Sequence, residues 1–389
     1  MIERILDTLA HACTAALALY AARSATLTDG WERVLPPTRP QTTPKLSIIV
    51  PARNEERTIA RCVRSLLKQN LTDFEVIVVD DRSEDGTAAI LAELAQNDSR
   101  LRAFAGAELP AGWVGKPWAL AQGVRAATGD WLLFTDADSW HAPPAAAASL
   151  AFAREHQLDA LSLWVHQELG SLAERAVLPT ILGMVVAASG SMRQLNDPAD
   201  ADHALANGQY ILVSRVAYEA LGGHEALRGE IVEDVAFARK LKDDGRFRLG
   251  LADGSALVRV RMYTSLAEIW AGFTKNMYLG ARGDVRILVA AMTFLSLLSI
   301  VPAALACDAL VRNRPRRALE AIGVLAGGIA VEARLLRKVG IRASLGLFAP
   351  IGYAVCAAII LESTARVLSG RGVTWRGRQY TGKFASPQP

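Results

Sequence analysis

Apolar and polar positions over residues 45–135 fall into alternating blocks that predict an α/β arrangement. Residues 46–50 (LSIIV) form a short apolar run suited to a buried parallel strand. Ile59, Cys62, Val63, Leu66 and Leu67 then recur at helical spacing, behind Asn54, Glu55 and Glu56, which read as a cap and first-turn acids. Residues 75–79 (EVIVV) predict a second strand, 87–96 a helix, 101–105 a strand, 116–127 a helix and 131–135 a strand. Strands alternating with helices predict a Rossmann-like, doubly wound sheet that presents its ligand edge at the strand C-termini. Residues 236–241 return to helical spacing, and no repeat of about 20–50 residues interrupts the pattern.

The flanks follow a different rule. Residues 287–307 are 21 consecutive uncharged positions, enough to cross a bilayer at about 1.5 Å per residue. Residues 343–361 give 19 more, while 321–331 give only 11 between Glu320 and Glu332, short for a span unless partner helices shield its ends. Residues 8–22 are apolar apart from His11. The small residues after them fit a signal peptide, but Glu3 and Asp7 make a poor n-region, so an uncleaved anchor is expected. The proline-rich stretch 30–44, with Pro36, Pro37 and Pro40, reads as a linker. Residues 176–192 are uncharged, with Pro179 in their first turn; a buried core helix and an amphipathic helix in the membrane interface both fit. The expected organisation is an anchor over 1–25, a linker over 26–44 and a catalytic domain over 45–265. An interfacial segment over 266–284, transmembrane helices over 285–368 and a basic tail over 369–389 follow.

Composition supports this division: 51% hydrophobic is too apolar for an ordinary soluble enzyme, and 21% charged is too polar for a wholly embedded protein. The net charge of +4 does not point to nucleic acid, because the basic residues flank the apolar segments. Arg312, Arg314, Arg316 and Arg317, then Arg334, Arg337, Lys338 and Arg342, then Arg371, Arg376, Arg378 and Lys383 suit anionic headgroups. Charge does not fix the topology, since clusters lie on both sides of 321–331; a re-entrant helix broken at Pro302 would remove the conflict. The four cysteines form no CxxC pair, so neither zinc nor a disulfide framework is indicated, and a reducing cytoplasm fits.

Candidate chemistry sits where strands end and helices begin. In VDDRSEDGT (79–87), Asp80 and Asp81 close a strand and Asp85 lies in a turn that suits nucleoside recognition. In TDAD (135–138), Asp136 and Asp138 at i and i+2 of a strand end would project to one side. Like charges that close repel unless a cation sits between them, and Mg²⁺ or Mn²⁺ takes one or two carboxylates plus substrate phosphates. Lys116 opens a helix without Walker spacing, and a lysine there can still hold diphosphate charge. Glu233 and Asp234 open another helix, where Asp234 reads either as a general base or as an N-cap.

The order of these motifs resembles the family 2 glycosyltransferases over about residues 45–280. The resemblance implies a GT-A fold and inverting transfer from a nucleotide-diphospho-sugar, with UDP preferred. By matching position, Pro51, Arg53, Glu55 and Asp81 would contact the nucleoside, with Asp85 and Lys116 on the donor side. Asp136 and Asp138 would form the D-x-D pair, Asp138 binding the metal directly, and Asp234 beside Glu233 would be the base. Asn207, Gly208, Gln209 and Tyr210, with WAGFTKN (270–276), resemble the branch acting on carotenoid, hopanoid-associated and ceramide-type lipids. Gly208, Gln209, Tyr210 and Trp270 are therefore expected on the acceptor side. VTWRGRQY (373–380) resembles the tail of the carotenoid type. The Q-x-x-R-W sequence of processive synthases is absent, which favours single-sugar transfer, with Lys275 as a cation for the diphosphate. The implied setting is a multi-pass protein of the cytoplasmic membrane, catalytic domain inside, with a lipid acceptor and the bilayer as partners. A membrane phospho- or nucleotidyltransferase would use the same acids and lysine. A non-catalytic nucleotide-sugar binder would be free to lose Asp138 and Asp234, which are present.

Overall fold

The alternating blocks build a seven-stranded mixed sheet, seen in a computed structural model that describes residues 2–37, 43–200, 202–281, 283–371, 373–375 and 378–380. Strands β1 (Leu46–Ala52), β2 (Phe74–Asp80), β3 (Leu101–Ala105) and β4 (Trp131–Phe134) are parallel neighbours in the order β3-β2-β1-β4. Six more strands follow: β5 (Ser139–His141), β6 (Ala160–Trp164), β7 (His166–Gln167), β8 (Ile211–Ser214), β9 (Leu249–Asp253) and β10 (Val258–Val260). The large sheet continues β4-β8-β6-β9, with β8 antiparallel to both neighbours, and β5-β10-β7 form a small second sheet.

Burial explains why β1 reads as continuous rather than alternating: Leu46, Ile48, Ile49 and Val50 are all fully buried. Ile48 and Val50 join Val76 and Val78 under the helix Ile59–Leu66, while Ile49, Ile77 and Val79 pack on Ala119, Leu120, Phe237 and Leu241. This period of two places one helix layer on each face.

The unit that carries these two sheets comprises residues 30–168 and 192–262. Several local readings differ from it. The helix after β1 starts at Ile59, so Asn54, Glu55 and Glu56 are neither its cap nor its first turn; Asn54 takes a left-handed φ of 55°. The supposed linker is partly sheet edge. Arg33 bridges Asp253 in parallel, the Val34 N–H donates to the Asp253 carbonyl at 2.9 Å, and Val34 is fully buried. Pro40 lies outside the described residues.

The second unit, residues 1–29, 169–191 and 263–389, is helical. Its helices Ile2–Thr26, Leu172–Ser189, Val285–Val311 (in two pieces) and Ala343–Leu368 are long and apolar enough to cross a membrane. The break within Val285–Val311 falls at Ser299 (φ −135°, ψ −78°), not at Pro302. A proline ring clashes with the carbonyl four residues earlier, here that of Leu298, so the ladder fails just ahead of the proline. The short apolar stretch 321–331 lies inside a longer helix, Pro315–Lys338. Its Glu332 is fully buried, and Oε2 accepts from Tyr20 Oη at 2.5 Å and Tyr353 Oη at 3.0 Å, joining three helices. Pro179 sits in the interior of Leu172–Ser189, because a capping box starts that helix earlier: Ser171 Oγ accepts from Glu174 N, and Glu174 Oε1 from Ser171 N. In the helix Leu266–Gly280, which carries Lys275, Trp270 Nε1 donates to Glu362. Of the tail, only the antiparallel strands β11 (Val373–Trp375) and β12 (Arg378–Tyr380) lie beyond Arg371 among the described residues; Arg376 and Lys383 do not.

Gly129 is where a side chain would disturb the sheet most directly. Its N–H donates to Ser47 Oγ at 2.8 Å, and an added Cβ would meet the Ser47 backbone nitrogen at 2.6 Å. Gly129→Ala is expected to cost about 1–3 kcal/mol through overpacking, read as a lowered Tm of the purified full chain.

Candidate active site

Two loops are stitched together at the C-terminal edge of β1 and β2. Asn54 N donates to Ser83 Oγ (2.9 Å), Glu84 N to Asn54 Oδ1 (2.8 Å), Glu55 N to Thr87 Oγ1 (2.8 Å) and Gly86 N to Glu56 Oε2 (3.0 Å). Arg53 Nη1 donates to the carbonyls of Asp81 (2.7 Å) and Arg82 (3.0 Å). Asp85 accepts from Thr87 N, Thr87 Oγ1 and Glu56 N. Slight burial raises the Asp85 pKa, and these hydrogen bonds outweigh it and hold the carboxyl below its usual range. Arg53, Glu55 and Asp85 thus shape the loops, while Asp81 is buried between them and Pro51 lines the adjoining cleft.

The charged centre of that cleft gathers charged side chains from three distant segments. Lys116, the second residue of the helix Gly115–Ala126, places Nζ 2.8 Å from Asp136 Oδ1 and 2.8 Å from Glu233 Oε1. Burial alone would lower the Lys116 pKa; Asp136, Glu233 and Asp234 overturn that and hold it well above the usual lysine value. Asp234, the second residue of the helix Glu233–Asp244, accepts from Gly208 N at 2.8 Å. Burial, then the like charge of Glu233, raises its pKa to about 6, against the lowering by Lys116 and the N–H groups of Gly208 and Val235. The shift puts a carboxylate base near neutral working range.

The D-x-D pair is built differently from its reading as a strand end. β4 stops at Phe134, and Asp136 opens a turn in which Ser139 N (3.2 Å) and Oγ (2.7 Å) donate to its carbonyl. The alternation argument therefore does not apply to Asp136 and Asp138. Asp136 reaches the cleft and Lys116; Asp138 holds the Arg261 N–H through its carbonyl at 3.2 Å. Among the described residues no group of three His, Cys, Asp or Glu side chains is arranged to hold a metal ion without further ligands. The two carboxylates fit a hard divalent cation in type, and such an ion would draw its remaining ligands from donor phosphates and water.

Tyr210 does not face an acceptor. It is fully buried, its hydroxyl on Ser149 Oγ at 2.8 Å, because it follows the turn at Asn207 and points into the core beneath β6 and β8. Gln209 is also buried, its Oε1 accepting from Gln167 Nε2 at 3.0 Å and its carbonyl from Thr135 Oγ1 at 2.8 Å. These bonds tie the strand end to β7 and to the turn after β4. Gly208 alone of that set lines the cleft. Trp270 and Lys275 belong to the helical unit. Sequence reasoning missed the other cleft walls: Leu120, Phe134, Thr135, Ile211, His224 and Phe237. His224 carried no spacing signal, standing nine positions before Glu233 in a Gly-Gly turn.

Residues 47–192 match the family described as Glycosyl transferase family 2. A 4,4'-diaponeurosporenoate glycosyltransferase of Staphylococcus aureus is 26% identical over 86% of this chain and 88% of its own length. Its counterpart in Staphylococcus haemolyticus is 27% identical over 62% and 63%. Among solved structures, a mannosyltransferase from Pyrobaculum calidifontis in complex with GDP-Man and Mn²⁺ is similar over 95% of this chain and 99% of its own. Its TM-score is 0.55 at 20% identity, a likeness of fold.

A Cβ at Gly208 would lie 2.9 Å from Asp234 Oδ2 and 3.0 Å from Lys116 Nζ. Gly208→Ala is therefore expected to displace both groups and cut turnover on the order of 100-fold, while the Tm moves little. Parental turnover in that variant would show that the close approach is not needed.

Proposed function

We propose that this chain, which belongs to the family 2 glycosyltransferases and carries their GT-A catalytic domain, transfers one sugar to a membrane lipid. The donor is a nucleotide-diphospho-sugar, with UDP preferred. The acceptor group is a hydroxyl or carboxylate of a carotenoid-, hopanoid- or ceramide-like lipid, and transfer inverts the anomeric centre. The observation that carries the reading is the meeting of Lys116, Asp136, Glu233 and Asp234 in one cleft at the sheet's C-terminal edge. The name of the S. aureus relative supports a carotenoid-type acceptor. The four long apolar helices support work at a membrane; a nucleotide-sugar donor requires the catalytic unit to face the cytoplasm, where such donors are made.

In this mechanism Asp234 removes the proton of an acceptor hydroxyl as the oxygen attacks the anomeric carbon. The Gly208 N–H holds Oδ2 and the Val235 N–H holds Oδ1, each at 2.8 Å, so the carboxylate plane is fixed while each oxygen keeps a lone pair for the acceptor proton. Lys116 neutralises charge on the departing diphosphate, and Glu233 and Asp136 keep its ammonium in place. Asp138 and Asp136 would hold Mg²⁺ or Mn²⁺ together with the donor phosphates, which would supply Lewis-acid charge neutralisation.

Membranes containing the protein, incubated with labelled nucleotide sugars, should yield glycosylated lipid by mass analysis; label found only in water-soluble products would refute a lipid acceptor. Asp234→Asn should lower turnover about 10²–10⁴-fold with donor binding retained. The base works as the carboxylate, so kcat/KM should rise through about pH 6 and level off above it. Removing the neighbouring charge in Glu233→Gln should move that rise to lower pH.

A further inference from the structure

Beside the charged centre lies a group with no charge to contribute. His224 is buried in the cleft wall, its ring edge-on to Phe134 (centroids 4.8 Å, 88°) and parallel to Phe237 (6.4 Å, 9°). Nδ1 lies 2.9 Å from the hydroxyl of Tyr218, and the same hydroxyl oxygen accepts the backbone N–H of His224 at 3.0 Å. Tyr218 is itself buried, so its proton needs an acceptor. Nδ1 is the acceptor present, and this leaves the ring's own proton on Nε2. Burial holds the imidazole near pKa 4, so the ring is neutral at physiological pH. No protein hydrogen bond to Nε2 is recorded among the described residues.

We infer that His224, held by Tyr218 in its Nε2–H tautomer, is a specificity-determining residue that donates a hydrogen bond to a hydroxyl of the transferred sugar. The inference rests on the glycosyl-transfer reading for the identity of the ligand. Around the cleft, Asp136, Glu233 and Asp234 only accept hydrogen bonds when ionised, and Lys116 is engaged by two of them. The Thr135 hydroxyl spends its proton on the Gln209 carbonyl at 2.8 Å, so among the described cleft side chains His224 is the neutral donor left for a ligand. A sugar hydroxyl both donates and accepts: one that donates to a cleft carboxylate still needs a donor for its oxygen, and Nε2–H supplies it. A hydroxyl recognised in this way is discriminated far more strongly than an apolar contact would allow, because its loss strands a buried donor.

The test compares affinities of the full-length detergent-solubilised protein for UDP-glucose, UDP-galactose, UDP-N-acetylglucosamine and GDP-mannose with those for UDP and GDP. For the tightest-bound sugar nucleotide, His224→Phe should weaken binding about 10- to 100-fold and leave the bare nucleotide unchanged. His224→Gln, which restores an N–H at the same reach, should recover most of the loss. Tyr218→Phe, which releases the tautomer without removing the ring, should lose part of it. A monodeoxy donor lacking the recognised hydroxyl should bind parent and His224→Phe equally. Equal loss for sugar nucleotide and nucleotide, no loss in His224→Phe, or no recovery in His224→Gln would overturn the inference. Because the readout is binding, a parent protein that transfers no sugar would refute the proposed function and leave this comparison intact.

Discussion

The site depends on one ammonium group. Lys116 stands 2.8 Å from Asp136 and 2.8 Å from Glu233, with Asp234 adjoining. Three carboxylates cannot share a small cleft unless a cation holds them or protons neutralise them. The lysine arrives from a helix N-terminus, Asp136 from the turn after β4, and the two acids from the first turn of the helix Glu233–Asp244. Each comes from a different part of the sheet's edge, so the fold is what makes the charge balance possible. Glu233 serves two ends here: it pins Lys116, and its like charge raises the Asp234 pKa toward the range where a carboxylate can take a proton.

How much was legible in the sequence varies along the chain for physical reasons. The first four strands are apolar runs buried on both faces, bounded by polar turns, so they were readable within two residues. The later strands β5 to β10 are two to five residues long and depend on pairing with partners far away, so spacing alone did not show them. The acids of the cleft were legible because charged residues at strand ends and helix starts are unusual company for apolar runs. The structural work of Arg53, Glu55 and Asp85 was not, because it lies in hydrogen bonds between two loops about 30 positions apart in the chain. Tyr210 looked like a ligand contact by motif and is core by geometry. His224 offered no pattern, and its meaning comes from Tyr218, Phe134 and Phe237 around it.

In the helical unit the same economy of charge recurs in a drier setting. Glu332 is a carboxyl buried among apolar helices, and two tyrosine hydroxyls converge on one of its oxygens. Ionisable groups inside apolar helix bundles persist when they join elements that generic packing would let slide. At the exposed end of the same pair of helices, Glu3 and Asp7 meet Arg314 and Arg317. At the other end, Lys338 donates to the Ala25 carbonyl and to Thr28. Helices Ile2–Thr26 and Pro315–Lys338 therefore run parallel, fixed at both ends and near one of them by Glu332.

The excursion between Glu168 and Met192 sets an order of events during synthesis. The chain leaves the catalytic unit after β7, makes the apolar helix Leu172–Ser189, and only then supplies β8, which lies between β4 and β6. Until β8 emerges, β4 and β6 lack their common neighbour and the sheet stays open. On the ribosome, a greasy segment that favours lipid thus appears before the enzyme half of the molecule can close. The apolar helix is complete before the catalytic centre can mature, and a chain that stalls between the two would expose an apolar helix and an unfilled gap in the sheet at once.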